Sequence, residues 1–217
     1  MKRLHCLVFA AFAFCVPASA STVGFDFNAG PQYASLPIDL TAGDVLAHFS
    51  ATGQGFSIQN TQQVIGVLPT GFSGLGICPN SVFAADLLVS FPQEKVTAFS
   101  IMVAPQELAT DSTATMRVTA YMNGVLVGTN TSQGVEPFLW PSSTLSFNSA
   151  QGFDSVVIHY AAPPPTGGDY GPIFVADNMT VTATAVPEPS GIGLLAAGVM
   201  SLCLRRGVRR NDGCRLF

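Results

Sequence analysis

Between Thr115 and Val127 the sequence alternates with a period of two around an Asn-Gly pair, a pattern that fits a β-hairpin and no helix. Met116, Val118, Ala120 and Met122 interleave with Thr115, Arg117, Thr119 and Tyr121. Asn123-Gly124 follows, and then Val125-Leu126-Val127. Successive side chains of a strand point to opposite faces, so one set can enter a core while the other meets water. Asn-Gly tolerates the positive φ angles of a two-residue hairpin turn.

The rest of the central region has the same character. Short apolar runs are punctuated by Gly, Pro, Asn and Ser, and no stretch keeps a helical period. Strands are predicted at Val23–Phe27, Val45–Ser50, Gly55–Gln59, Gln63–Leu68, Val82–Phe91, Val96–Val103, Ala114–Met122, Val125–Thr129, Thr144–Phe147, Ser155–Tyr160 and Ile173–Thr182. This spacing predicts an all-β fold, a single antiparallel β-sandwich or barrel. Phe99, Ile101 and Val103 fall on one face of their strand. Ile173, Val175, Met179 and Val181 are expected to share a face of the last strand, with Asp177 among them.

Both ends read as targeting sequence. Lys2 and Arg3 precede an apolar run from Leu4 to Val16, and Ala18-Ser19-Ala20 offers small residues to signal peptidase. This is a secretory signal over residues 1–20, a short helix with Ser21 as the first mature residue. At the other end Pro187-Glu188-Pro189 precedes the apolar run Gly191–Leu204, and Arg205, Arg206, Arg209 and Arg210 follow. The prolines end the last strand and hold an extended segment. The apolar helix enters the membrane, and the arginines stop on its cytoplasmic side. Its fourteen residues span about 21 Å, short of the roughly 30 Å hydrocarbon core, which suits a transient intermediate. The region between, residues 21–186, is one domain's worth of chain.

The tail at 187–217 resembles the PEP-CTERM sorting signal of Gram-negative bacteria. The resemblance implies cleavage near Pro-Glu-Pro by exosortase, a membrane-embedded cysteine protease. It also implies passage from an inner-membrane intermediate to the cell surface or beyond, in a host that makes exopolysaccharide. The middle resembles, more loosely, β-sandwich domains that often precede such tails, some of them galactose-binding or jelly-roll-like. The residues that carry this likeness are Asp86–Phe91, the Tyr-x-Asn-Gly hairpin, Phe153–Ile158 and Asp177–Val181.

Charge narrows the partners. Residues 21–186 contain two bases, Lys95 and Arg117, against eleven acids, a net charge of about −9. Such a field repels a phosphate backbone, so nucleic acid is excluded as a partner. Cys78 is the one cysteine of this region, so no disulfide forms within it.

Signs of catalysis are few. His48 and His159 do not form a metal-spaced pair, and no Gly-x-Ser-x-Gly elbow is present. Gly71–Gly76 lacks the lysine and helix of a phosphate loop. The expectation is a noncatalytic protein of the surface or extracellular matrix, associated with exopolysaccharide. A carbohydrate-binding module is the alternative, with Trp140 and Glu136, and Asp169 and Tyr170, offering aromatic faces and carboxylates on loops. Trp140 could equally plug one end of the core. Calcium could assist through Asp86 or Asp177; Asp177 could instead be held by loop amides, since a carboxylate on an apolar face needs hydrogen bonds or a cation. A glycoside hydrolase, the remaining alternative, would need converging groups such as Asp154, Glu136 and His159.

Overall fold

The computed structural model describes residues 20–106, 115–134, 140–161 and 172–184. Residues 1–19 of the predicted signal segment, the Pro-Glu-Pro tail with its predicted apolar helix and its arginines, and Glu136, Asp169 and Tyr170 lie outside the described residues.

Twelve strands and one short helix make up the described residues. In chain order they are β1 (Ala20–Phe25), β2 (Ile38–Ala42), β3 (Val45–Ala51), β4 (Phe56–Asn60), α1 (Thr61–Ile65), β5 (Leu75–Pro79), β6 (Leu87–Ser90), β7 (Lys95–Pro105), β8 (Thr115–Met122), β9 (Val125–Gln133), β10 (Ser143–Phe153), β11 (Ser155–Tyr160) and β12 (Phe174–Thr184). They form two antiparallel six-stranded sheets. The first has the order β10-β7-β12-β5-β4, with β1 alongside the C-terminal half of β12; the second runs β2-β3-β6-β11-β8-β9. The chain crosses from one sheet to the other repeatedly. Each strand therefore turns one face toward the space between the sheets, and the period-two pattern is the consequence. The expected sandwich is what forms.

The core lies between the sheets. Phe99, Ile101 and Val103 enter it from β7, Phe49 from β3, Met116 and Val118 from β8, and Val156 and Ile158 from β11. All eight are essentially inaccessible to solvent. At roughly 25 cal/mol per Å2 of apolar surface, burial of such side chains is the main favourable term of the fold. The β8–β9 hairpin turns at Asn123 (φ 52°) and Gly124 (φ 76°), the two left-handed residues that the sequence requires.

Several local expectations change. Gln63–Leu68 is not a strand. Asn60 accepts a hydrogen bond from the Gln63 amide at 3.0 Å, and left-handed Gly66 donates to the Gln62 carbonyl, so both caps favour the single turn of α1 instead. Val82–Phe91 is strand only over Leu87–Ser90, because the Ser81 hydroxyl accepts from the Phe83 amide and bends the chain there. β2 and β5 have no counterpart among the predicted strands. β9, β10 and β12 run longer than their apolar cores.

The face assignment of β12 also changes. Pairing with β7 slips between Asp177 and Thr180, where Asn178 is left-handed at φ 49°. This bulge exchanges the two faces. Ile173 and Val175 pack outside the first sheet, while Met179 and Val181 enter the main core. Asp177 therefore shares a face with Val175 and not with Met179.

Candidate functional site

The bulge in β12 fixes a loop on the outside of the first sheet. Asp177 is fully buried. Its Oδ2 accepts from the Ser73 amide at 3.0 Å and its Oδ1 from the Asn178 amide at 2.7 Å. The Asn178 carboxamide donates to the Gly71 carbonyl at 2.7 Å. The reading in which loop amides hold Asp177 is thus the one observed. Burial pushes its carboxyl up to about 6, against the lowering effect of the Ser73 and Asn178 amides, and nearby Asp26 adds to the rise.

The loop so held carries Phe72 into a second, smaller core with Cys78, Ala104, Trp140 and Val175. Trp140 is 5% exposed. It plugs this outer core and leaves only an edge facing outward. Burial also pushes the Cys78 thiol up to about 11, so it behaves as a small apolar side chain.

Above this second core opens a cavity of about 370 Å3. Val64 and Ile65 of α1, Pro79, Val82, Trp140 and Ile173 give it apolar walls; Asn80, Ser81 and Gln106 supply polar groups. Val64 and Val82 form an exposed apolar rim. The Asn80 carboxamide is already engaged: it accepts from the Ser57 hydroxyl at 2.6 Å and donates to the Gln54 carbonyl at 3.4 Å. Gln106 is positioned through its backbone, which donates to Ile173 at 2.9 Å and accepts from the Tyr160 hydroxyl at 2.9 Å. Its side-chain amide makes no hydrogen bond among the described residues and is available to a ligand. So is the Ser81 hydroxyl proton. A cavity of this size and mixed lining suits a small ring with one apolar face and polar edges.

The loop residues predicted to bind ligand adjoin this cavity in sequence. Glu136 is four residues from Trp140; Tyr170 is three residues, and Asp169 four, from Ile173.

The other predicted sites separate. Asp86 lies on the outside of the second sheet, where its Oδ1 is 2.6 Å from Nδ1 of His159; Asp177 lies outside the first sheet. The two carboxylates cannot share a calcium ion. Among the described residues no three His, Cys, Asp or Glu side chains gather as a metal site. Asp154 accepts from the Asn123 amide at 2.6 Å and from the Ser155 hydroxyl at 2.8 Å, and so buttresses the hairpin turn. It stands at the opposite end of β11 from His159, about 16 Å away at roughly 3.3 Å per residue. The structure does not bring these two candidate hydrolase groups together. An acid–imidazole pair does exist, Asp86–His159, but it lies on an open sheet face. A second, Asp39–His48 at 2.6 Å, is on the same face. No described hydroxyl or thiol hydrogen-bonds either imidazole.

Sequence reasoning missed Asn80, Ser81 and Gln106. Asn80 and Ser81 follow β5 and Gln106 follows β7; they are short polar stretches just past strand ends, and no spacing rule links the two places.

No protein-family model matches the chain, and no curated protein matches it. Among solved structures, a family 29 carbohydrate-binding module aligns over 76% of this chain and 89% of its own, at 10% identity and a TM-score of 0.39. A point mutant of such a module complexed with mannohexaose aligns over 77% and 93%, at 9% identity and a TM-score of 0.37. The catalytic domain of Agl-KA aligns over 87% of this chain and 32% of its own, at 15% identity and a TM-score of 0.41. Similarities of this size establish neither a shared family nor a shared ligand.

Proposed function

We propose that the chain is an exported, noncatalytic protein whose β-sandwich binds carbohydrate at the cavity beside Trp140. The observation that carries this reading is the cavity itself. Its apolar walls suit the C–H face of a sugar ring, and the unengaged Gln106 amide and the Ser81 hydroxyl proton suit its hydroxyl edge. The signal segment and the Pro-Glu-Pro tail support the remainder: signal peptidase releases the N-terminus, exosortase processes the C-terminus, and the sandwich is delivered to the surface or to an exopolysaccharide matrix.

Binding of the purified protein to host exopolysaccharide tests this, with calcium and then with chelator to establish whether calcium takes part. Gln106→Ala with Ser81→Ala removes two hydrogen bonds to the ligand of about 0.5–1.5 kcal/mol each, an expected loss of about 5- to 150-fold in affinity; Ser81→Ala also removes the acceptor of the Phe83 amide, so Gln106→Ala alone is the variant expected to keep the native melting temperature. Undiminished binding in the double variant would place the ligand elsewhere, and absence of binding would favour a purely structural matrix role. Release of shortened saccharide by the protein would overturn the noncatalytic reading.

A further inference from the structure

Among the described residues, no charged side chain lines the cavity beside Trp140. A uronic acid bound there would bring a carboxylate with no cation to meet it, into a domain of net charge about −9. An amino sugar would bring an ammonium group with no carboxylate beside it, and an unpaired charge is costly to take out of water. The lining therefore selects a neutral ring.

The polar capacity of the cavity is small as well. The Asn80 carboxamide already holds the Ser57 hydroxyl and the Gln54 carbonyl. The Ser81 oxygen accepts from the Phe83 amide at 2.9 Å, which leaves its proton to donate. The Gln106 carboxamide keeps both its donors and its acceptor. Much of the remaining wall is aliphatic: Val64 and Ile65 at the end of α1, Val82, and Ile173. Ile65 and Ile173 pack down on the second core, while Val64 and Val82, each 39% exposed, form the rim.

A hexose carries, besides the hydroxyls of its ring, one on the freely rotating C6 carbon. With the ring hydroxyls turned to Ser81 and Gln106, that carbon is left to the aliphatic wall. A hydroxyl group placed there gives up water and gains no partner. A methyl group placed there only removes apolar surface from water, which favours binding.

On the carbohydrate-binding reading, on which this inference rests, we propose that the cavity is selective for a neutral 6-deoxyhexose. Its ring hydroxyls bond to Gln106 and Ser81, and its C6 methyl group packs among Val64, Ile65, Val82 and Ile173. The parent hexose differs by one oxygen, which the same wall strands.

The test uses the full chain in a nonionic, sugar-free detergent and two matched pairs of methyl glycosides, L-fucoside with L-galactoside and L-rhamnoside with L-mannoside. The members of each pair differ only by the C6 oxygen. Dissociation constants are read by NMR titration and by competition with host exopolysaccharide. In at least one pair the deoxy member should bind about ten-fold more tightly or better, the discrimination an apolar pocket makes against one added hydroxyl. Val64→Thr with Val82→Thr keeps the shape of the rim and gives it hydroxyls. That variant should bring the ratio below about two-fold without weakening the parent hexose. If its melting temperature falls, Val64→Thr alone decides by the same ratio. Gln106→Ala should weaken both members of a pair alike. Equal binding within both pairs, weakened by Gln106→Ala, would overturn the selectivity and leave the carbohydrate reading standing. So would a ratio that the valine variants leave unchanged, or exopolysaccharide binding that none of the four glycosides competes with. Failure of exopolysaccharide and of all four glycosides to bind would overturn the carbohydrate reading itself, and the selectivity with it.

Discussion

Replacing Asp177 with Asn should remove a pH dependence that the native fold carries at this one position. The carboxylate is fully buried, and its pKa is raised from 3.8 to about 6. Desolvation outweighs the two amide donors that favour the charged form. A shift of about 2 units corresponds to roughly 3 kcal/mol. The folded pKa lies above the unfolded one, so between about pH 4 and 6 the folded state binds the extra proton. The stabilisation is complete below about pH 4 and is lost as the pH rises through 6. Urea denaturation of native protein and Asp177→Asn between pH 4 and 7.5 measures this. The other carboxylates and both histidines are common to the two proteins, so their contributions cancel in the difference. Relative to the variant, the native protein should lose about 3 kcal/mol between pH 4 and 7. That is about 1.5 M in urea midpoint for an m-value of about 2 kcal/mol/M. A difference that stays flat would mean that the Asp177 carboxyl titrates normally. A difference of opposite sign would mean that the Ser73 and Asn178 amides dominate over burial.

Other consequences can be measured independently. Trp140→Ala should destabilise the fold by about 3–5 kcal/mol in chemical denaturation, as expected for emptying a buried tryptophan site; lost ligand binding in that variant would therefore report on folding. Gly124→Ala places a Cβ at φ 76° and should cost about 1 kcal/mol or more, read as a lower thermal midpoint, whereas Asn123→Gly should be nearly neutral. Native Cys78 should resist thiol reagents until the protein is unfolded, and rapid labelling of the folded protein would contradict its burial. The secreted form should have an intact mass that ends near Pro187–Ser190; retention of the arginine tail would exclude processing at Pro-Glu-Pro.

The sheets were legible in the sequence where side-chain periodicity reports burial directly. β3, β7, β8 and β11 each place apolar residues at alternate positions on the core side, and a period of two has a single physical reading there. β2 shows the same alternation, Ile38, Leu40 and Ala42 against Asp39 and Thr41, but over only five residues bounded by Pro37 and Gly43, so its shortness hid it. β5 escaped for a different reason. It has core on one side and the second cluster on the other, which leaves Gly76, Ile77 and Cys78 all buried and erases the alternation. α1 was read as a strand because Val64 and Ile65 are apolar and β-branched; the deciding information lay in the caps Asn60 and Gly66, not in the run between them.

The site was less legible, and β12 shows why. Strict alternation put Asp177 on the same face as Met179. One left-handed residue, Asn178, inverts every side chain that follows, and nothing in the apolar pattern announces it. That single inversion lets one strand serve both cores: Met179, Val181 and Ala183 close the main one, while Val175 closes the second. At the join, Asp177 and Asn178 hold the Gly71–Ser73 segment, that segment carries Phe72 into the cluster with Trp140, and Trp140 forms part of the cavity wall. The bulge, the buried carboxylate and the cavity are therefore one construction. Weakening the Asp177 latch should loosen Phe72 before it disturbs the main core. In Asp177→Ala, amide hydrogen exchange should quicken at Phe72 and Ser73 while Ile101, Val118 and Ile158 keep their protection, as expected for local rather than global opening. Uniform loss of protection would mean that the two cores unfold as one unit.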